Sequence, residues 1–326
     1  MEEWINKFET ELSKILDKED TLYVFCPYHI GDLLGAGGFV DAAKKMRGKS
    51  HAIIFASERV QSMGVSFPGV DKIIYWDQDF LDMLAKYIYT TGRYETHNYI
   101  YGHFYRTKDG VCVMNFDINF IEGFRPVFKL SPTAPFLSPT VAEPSEEEMK
   151  KIYNDFVIDK KHTVILAPYA KSLPDLPTDL WVNLVKSMQE KGFIVYTNVD
   201  PQGETPITGT KPFSASLTAL FALSDKIRAV IGYRSGLFDY LAFSNAKILC
   251  ISPFPGPIPV WIFSLPLLYP NSDSHMFYYA EEFIKPISEY FCNSGVEAVL
   301  KISHPKITEP IYFSKDELIQ AIMSNI

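Results

Sequence analysis

The sequence of 326 residues is poor in cysteine and has no surplus of basic residues, and both absences exclude classes of protein. The four cysteines, Cys26, Cys112, Cys250 and Cys292, are scattered and form no C-x-x-C pair. This excludes the usual spacing of a zinc site and favours reduced thiols. Acidic residues number 39 against 31 basic ones, for a net charge of −8. Because a phosphate backbone attracts clustered lysine and arginine, this balance argues against a nucleic-acid partner.

A long uninterrupted apolar run is also missing, so the sequence predicts no membrane-spanning helix. Residues 1–20 are charged and amphipathic, without the apolar centre of a signal peptide. We therefore expect a cytoplasmic protein. The apolar segment 253–270 carries too many prolines for a spanning helix and is interpreted as a loop. It leaves open a peripheral contact with the inner face of a membrane.

What the sequence does contain is a double alternation of apolar strands and amphipathic helices, first over 21–76 and again over 162–253. Between the two series, 131–147 is rich in proline, serine and threonine, as is typical of a linker. This order predicts an α/β protein of two Rossmann-like parallel-sheet domains, residues 1–140 and 141–326, facing a cleft at the carboxyl ends of their strands. It leaves open that the last helices pack back on the first domain.

The stretch YHIGDLLGAGGF, residues 28–39, follows the first apolar run and is predicted to be a glycine-rich loop. It is not a dinucleotide-binding fingerprint, because Val40 stands at the place of the third small residue and Asp32 lies where a pyrophosphate would bind. A carboxylate in this position can accept a proton from an attacking hydroxyl group, or it can cap the following helix. Sequence position alone does not separate these two roles of Asp32.

The most informative stretch, 227–253, runs from an apolar strand into Arg234-Ser235-Gly236 and then into a helix. Ser235 is a suitable N-cap, Gly236 lets a ligand approach the backbone, and the free N–H groups of a helix start attract anions. Arg234 adds a guanidinium group whose paired donors suit a diphosphate. The alternative is an ion pair between Arg234 and Asp239.

Four further polar residues are weaker candidates for contacts with a ligand. Lys171 follows a predicted strand and can reach a phosphate, although a solvated loop lysine is an equal alternative. Ser214 and Ser216 precede a helix and can contact a base or a ribose, but plain N-capping is the favoured interpretation. His29 adjoins the glycine-rich stretch and can contact a polar acceptor.

The order of these motifs resembles the heptosyltransferase-like glycosyltransferases of the GT-B fold. The matching stretches are HIGDLLGAGGFVDAAKK, VILAPYAKS, SASLTALFALSD and AVIGYRSGLFDYLAFSNAKILCISP. The resemblance implies that Asp32 is the catalytic base and that Ser235 and Gly236 hold the diphosphate of a nucleotide-sugar donor. Arg234 and Asp239 depart from the family, which usually has aspartate and histidine at these places. The donor sugar therefore stays open, and heptose is not assumed.

Together, these residues and the resemblance predict a glycosyltransferase that needs neither metal nor cofactor. It would move a sugar from a nucleotide-diphosphate donor to a saccharide or a lipid-linked saccharide, as in cell-surface polysaccharide or lipopolysaccharide assembly. Gly31 and Gly35 would let the acceptor approach Asp32. The D-Q-D of residues 77–79 is interpreted as a solvated turn. Three alternatives stay open: a nucleotide-sugar epimerase, an NAD-dependent oxidoreductase with Glu58 at the ribose, and an inactive sugar-binding subunit.

Overall fold

The structure is a computed structural model. It describes residues 6, 9–10, 13–14, 20–26, 29–81, 83–84, 104–106, 112–114, 124–170, 175–200, 203–253, 274–279 and 312–326. The prediction for Lys171, and that for segment 253–270 apart from Pro253, lie outside the described residues. Contacts divide the chain into two compact units. The first takes in 1–61, 65–102 and 124–140, and the second takes in 62–64, 103–123 and 141–326.

The sheet of the first unit has three parallel strands. The first four described strands of the chain are β1 (Thr21–Cys26), β2 (His51–Ser57), β3 (Val65–Ser66) and β4 (Lys72–Trp76). Three of them form this sheet, in the order β1-β2-β4. All six residues of β1 are buried, as expected of a continuous apolar run with both faces covered. The rings of Phe25 and Phe55 stack with centroids 5.0 Å apart, and Trp76 lies 4.4 Å from Phe55. These aromatic side chains form the centre of the first core.

The glycine-rich stretch, predicted as a loop, is instead helical, so this prediction was wrong. The described helices of the first unit are α1 (Ile30–Gly37), α2 (Val40–Met46) and α3 (Phe124–Val127), and a 3-10 helix, Glu58–Met63, begins in the first unit and ends in the second. In α1 the missing side chains make room for aromatic rings. A Cβ atom added at Gly35 would come within 3.0 Å of the Phe124 ring, and one added at Gly37 would come as close to Phe67. Tertiary packing therefore explains this glycine run.

Gly35→Ala is expected to lower the free energy of unfolding by about 1–3 kcal/mol, the usual cost of overpacking a core. The cost arises because the new methyl group overlaps Phe124, and the better helix propensity of alanine offsets only about 1 kcal/mol of the overlap. Gly203→Ala is the control, since no described residue beyond its chain neighbours has an atom within 4 Å of its added Cβ. Urea unfolding midpoints measure both. A Gly35→Ala protein as stable as its parent would contradict this account of the helix.

Among the described residues, the sheet of the second unit has seven strands, all parallel, in the order β10-β9-β8-β11-β12-β13-β14. Its strands are β8 (Thr163–Ala167), β9 (Ile194–Asn198), β10 (Lys211–Phe213), β11 (Ala229–Tyr233), β12 (Ile248–Pro253), β13 (Ser274–Tyr279) and β14 (Tyr312–Phe313). The chain winds outward from β8 in one direction and from β11 in the other. Ligands of such sheets bind at the carboxyl ends of the strands at this reversal point.

Short strands complete the described chain: β5 (Phe104–Arg106), β6 (Cys112–Met114) and β7 (Thr140–Val141). Strands β5 and β6 form an antiparallel pair, and β7 pairs with β3. The linker predicted over 131–147 has no regular structure apart from β7 until a helix begins at Glu146.

The helices of the second unit are α4 (Glu146–Asp155), α5 (Thr178–Glu190), α6 (Leu217–Ser224), α7 (Gly236–Leu241) and α8 (Lys315–Asn325). The buried face of α8, with Leu318 and Ile322, joins the core formed by the sheet and α5. The Nζ atom of Lys315 lies 2.6 Å from the carboxylate of Asp179 on α5. The last helix thus has its place in the second unit. Within the described segments, no helix is both long and apolar enough to cross a membrane.

Candidate functional site

The reversal point of the larger sheet brings the turn after β8 next to the turn after β11. Ala167, the last residue of β8, pairs with Gly232 of β11, so Arg234-Ser235-Gly236 leave the sheet beside the residues that follow β8. Gly232 permits this approach. A Cβ atom added there would come within 3.0 Å of both the Ala167 carbonyl group and the Phe238 ring. Ligands of parallel sheets bind at such a turn, and the ligand-binding role predicted for Arg234-Ser235-Gly236 stays a prediction.

Ser235 is the N-cap residue of α7, with extended backbone angles of φ −151° and ψ 172°. Its side chain makes no capping hydrogen bond to the helix. Ser235, Gly236 and Leu237 are partly exposed, whereas Phe238 and Asp239 are buried. The partly exposed residues of the turn are therefore a serine, a glycine and a leucine.

The Arg234 side chain is turned into the protein and pairs with Asp239. Its Nη2 atom lies 2.9 Å from Asp239 Oδ1, and the two side chains are only 9% and 8% exposed. Its Nη1 atom donates a hydrogen bond to the carbonyl oxygen of Ser235 at 2.7 Å. The buried Nε atom has no hydrogen-bond partner among the described residues. The ion pair that the sequence left as an alternative is therefore present, and contact of either residue with a diphosphate stays a prediction.

Two buried groups near this ion pair, Cys250 and Tyr233, are neutral. Burial raises the pKa of Cys250 to about 12, and burial also raises the pKa of Tyr233, so that both stay protonated at neutral pH. Tyr240 of α7 is buried and donates a hydrogen bond from its hydroxyl group to the Met63 carbonyl oxygen at 2.7 Å. Arg234 and Asp239 are thus a charged pair whose side chains are buried, and a buried ion is costly unless it is paired.

Ser216, predicted as a contact for the donor, is engaged inside the protein. Its Oγ atom caps α6 by accepting a hydrogen bond from the Ala219 N–H at 3.1 Å. The Ser216 backbone N–H and hydroxyl group also donate to the two carboxylate oxygens of Glu148, at 2.7 and 2.8 Å. Ser214 is exposed. Contact of either serine with a nucleotide stays a prediction.

Ser216→Ala is expected to lower the free energy of unfolding by about 1–2 kcal/mol, at the upper end of the range for a lost N-cap. The substitution removes two contacts, because the helix loses its cap and the Glu148 carboxylate loses the hydroxyl group that donates to it. We therefore expect a loss at the upper end of the range. Ser145→Ala is the matched control, because Ser145 caps α4 by a single bond from the Glu148 N–H at 3.2 Å. Thermal unfolding of both variants measures the difference. Equal losses would contradict a stabilising contact between Ser216 and the Glu148 carboxylate.

Asp32 lies at the carboxyl end of β1, in the first turn of α1. Its Oδ2 atom accepts a hydrogen bond from the His29 backbone N–H at 3.0 Å, so it caps the helix start. Burial raises the pKa of Asp32, and this effect exceeds the opposing effects of the His29 N–H bond and of the His29 charge. The residue as a whole stays partly exposed. A carboxylate with a raised pKa is a stronger base than that of an ordinary aspartate.

The residues predicted on the acceptor side differ in exposure. His29 is exposed and Gly31 is buried, while Gly35 faces the ring of Phe124. Packing against Phe124 supplies a structural reason for Gly35, and the acceptor contacts of all three residues stay predictions. Within the described segments, no group of three or more histidine, cysteine, aspartate or glutamate side chains could hold a metal ion.

Sequence reasoning did not single out Tyr169, which the fold places at the reversal point directly after β8. Its hydroxyl group donates a hydrogen bond to the Thr205 carbonyl oxygen at 2.5 Å, which ties the turn after β8 to the loop after β9. The available signal was its position two residues beyond a central strand. That signal carries weight only once the strand order is known.

The architecture described so far is that of an α/β protein with a parallel sheet in each of two units, as predicted. Two solved structures share this GT-B-type fold over nearly their whole length. One is a glycosyl transferase of family 9 from Veillonella parvula, with a TM-score of 0.55 and 12% identity, covering 94% of this chain and 97% of that chain. The other is the ADP-heptose LPS heptosyltransferase II of E. coli, with a TM-score of 0.54 and 12% identity, covering 94% and 98%.

No protein-family model and no curated protein matches the sequence. At 12% identity, the two structural similarities establish the fold. The predicted fold class is confirmed, and the predicted resemblance to heptosyltransferase-like glycosyltransferases is confirmed at the level of fold.

Proposed function

We propose that the protein is a glycosyltransferase that moves a sugar from a nucleotide-diphosphate donor to a hydroxyl group of a saccharide. The observation that carries the proposal is the fold, which two solved structures named as a glycosyl transferase and as an ADP-heptose heptosyltransferase share over 94% of this chain. The site residues add support from each unit separately. Because many chemistries use related folds, the residues and not the fold assign the roles.

Asp32 is the proposed general base. In the reaction, the acceptor oxygen bonds to the anomeric carbon of the donor sugar, the bond from that carbon to the diphosphate breaks, and the hydroxyl proton passes to the Asp32 carboxylate. The burial that raises the pKa of Asp32 supports this role, since it strengthens the base. The capping bond from His29 holds the carboxylate at the start of α1.

The donor diphosphate is proposed to bind at the turn Ser235–Gly236. The turn lies at the reversal point of the sheet, its residues are partly exposed, and its serine side chain is not used as a cap. Backbone N–H groups there would stabilise the negative charge that grows on the leaving diphosphate. Lys171, four residues beyond the end of β8 in the sequence, is a proposed further contact.

The first test is thermal stabilisation of the purified protein by nucleotide sugars, free nucleotides and NAD(P). Stabilisation by nucleotide sugars that share one nucleoside would support the proposal and name the donor class, with ADP-sugars the first to try. A response to NAD(P) alone would overturn it. The NAD-dependent alternative is the weaker one, because Gly35 and Gly37 lie inside α1 against aromatic rings and leave no open glycine loop there.

Turnover separates the remaining alternatives. A transferase releases nucleoside diphosphate only when an acceptor is present, apart from slow hydrolysis. An epimerase changes the donor sugar without any acceptor, and an inactive sugar-binding subunit does neither. The acceptor is proposed to be a saccharide or a lipid-linked saccharide that the protein meets in the cytoplasm, at the inner face of the membrane where a lipid carries it. Flotation with acceptor-containing vesicles tests that contact.

Removal of metal ions is expected to leave sugar transfer unchanged. We propose that donors within the protein stabilise the leaving diphosphate, a role that a bound metal ion has in many other transferases. The measurement compares the initial rate of nucleoside diphosphate release before and after dialysis against EDTA. Loss of activity that Mg²⁺ or Mn²⁺ restores would contradict metal independence, while leaving the assignment as a glycosyltransferase intact.

A further inference from the structure

The buried ion pair of Arg234 and Asp239 sits directly below the turn that forms the proposed donor site. The two residues lie on opposite sides of Ser235 and Gly236 in the sequence, and their side chains meet underneath, at 2.9 Å. The Arg234 backbone N–H is bonded to the Ile251 carbonyl of β12 at 2.8 Å, so the start of this closed loop is fixed to the sheet. Asp239 is fixed by the burial of α7, in which Phe238 and Tyr240 are fully buried.

Arg234 uses its three nitrogen atoms differently. Nη2 pairs with Asp239, and Nη1 donates to the Ser235 carbonyl oxygen at 2.7 Å. The second bond holds the Ser235 carbonyl group on the protein side of the turn. Nε is buried and has no hydrogen-bond partner among the described residues, and a buried N–H without an acceptor costs free energy.

We propose that Arg234 and Asp239 act as one neutral unit that sets the Ser235–Gly236 turn for a nucleoside diphosphate. In this unit Asp239 is a positioning residue, and the Arg234 Nε–H is the group left for an oxygen of the ligand. This inference rests on the proposed function. It differs from the expectation that Arg234 binds the diphosphate as a free cation, because here the arginine charge is already balanced inside the protein.

The effect of Asp239→Leu on the affinity for a diphosphate distinguishes a free Arg234 cation from an Arg234 that Asp239 positions. Asp239→Leu removes a negative charge close to an anion site. If Arg234 acted as a free cation, the loss of this charge would strengthen binding of a diphosphate. If Asp239 positions Arg234, the guanidinium group loses its anchor and binding weakens, although the site has become more positive.

The experiment titrates ADP, GDP, UDP and dTDP into the parent and follows the tightest of them in the variants by calorimetry. Asp239→Leu is expected to weaken the affinity of the protein for this diphosphate by about tenfold or more, the effect of losing one charged hydrogen bond. Asp239→Asn keeps an acceptor for Nη2 and is expected to stay within about threefold of the parent. Asp159→Asn controls for net charge and is expected to bind as the parent does. Asp159 precedes β8 in the sequence, at the end of this strand opposite to the proposed donor site.

An unpaired buried arginine can prevent folding, so a second variant replaces both charges. Arg234→Met with Asp239→Leu leaves no charge in the core and is expected to fold with a melting temperature near that of the parent, because apolar replacement of a whole buried pair is often neutral. The folded double variant is expected to lose affinity by about thirtyfold or more, since the turn is no longer held.

The outcomes are distinct. Weaker binding by Asp239→Leu, with partial rescue by Asp239→Asn, would support the positioning role. Equal or tighter binding by Asp239→Leu, or parental affinity in the folded double variant, would overturn it while the proposed function stands. If the parent protein binds none of the four diphosphates, both the proposed function and the positioning role are overturned. This outcome is seen in the parent protein, before any variant is measured.

Discussion

Asp32→Asn is expected to slow sugar transfer by about 10²- to 10⁴-fold, the range over which a positioned general base contributes to a reaction. The amide has nearly the shape of the carboxylate and can still accept the His29 N–H hydrogen bond, but it cannot take the proton of the acceptor hydroxyl group. Donor binding is expected to be unchanged, because the proposed diphosphate contacts belong to the other unit. The measurement is the rate of nucleoside diphosphate release at saturating donor.

The raised pKa of Asp32 also predicts how the transfer rate and the stability change with pH. Burial raises the pKa of Asp32, so the transfer rate is expected to fall on acidification at a higher pH than an ordinary aspartate would require. Folding favours the protonated carboxyl group, so its stabilising contribution is present at low pH and is lost as the pH rises through the raised pKa. At neutral pH, Asp32→Asn is therefore expected to be at least as stable as the parent.

The matched control is Asp41→Asn in the neighbouring helix α2. Asp41 pairs with Lys45 at 2.7 Å, an ordinary i to i+4 contact at the surface, and has no proposed role in transfer. This variant is expected to transfer sugar at the parental rate. An Asp32→Asn protein that transfers sugar as fast as Asp41→Asn would show that Asp32 only caps the helix.

Arg234→Ala is expected to lower the free energy of unfolding by about 3–5 kcal/mol, as when one partner of a buried ion pair is removed. The substitution removes the guanidinium group that lies 2.9 Å from the Asp239 carboxylate, whose side chain is only 8% exposed. It also frees the Ser235 carbonyl group from its bond to Nη1. This is the largest effect on stability that we expect from a single change in the site, and chemical unfolding with urea measures it.

Two controls separate this effect from a general loss of charge. Lys315→Ala removes an ion pair of similar length, 2.6 Å to Asp179, but that pair is exposed to solvent and is expected to matter far less. The double variant Arg234→Met with Asp239→Leu is expected to recover most of the lost stability. If Arg234→Ala were as stable as the parent, the pair would not be closed in solution. Because of the expected instability, the site should be probed with the double variant rather than with Arg234→Ala alone.

The main strands could be read from the sequence because parallel strands covered on both faces are continuous apolar runs. The run before His29 and the run before Arg234 are buried throughout, as β1 and β11. Fold class and the resemblance to heptosyltransferase-like proteins followed from the order of these runs, and both are confirmed at the level of fold. Candidate residues at the ends of strands followed as well, since ligands of parallel sheets bind there.

The errors arose where partners come from far along the chain. Glycines 35 and 37 indicated a loop by local propensity, but Phe124 and Phe67 pack against them and a helix forms. The strand order, which puts β8 next to β11, is likewise set by packing and not by sequence neighbours.

The sequence by itself therefore determined the strands, the class of fold and the candidate residues Asp32 and Arg234, because each depends on a local pattern. Only the tertiary structure decided what those side chains do. It buried Asp32 enough to raise its pKa, and it closed Arg234 onto Asp239 rather than leaving a free cation. The physical reason is that desolvation and ion pairing depend on the groups brought around a charge in space, which a linear pattern does not specify.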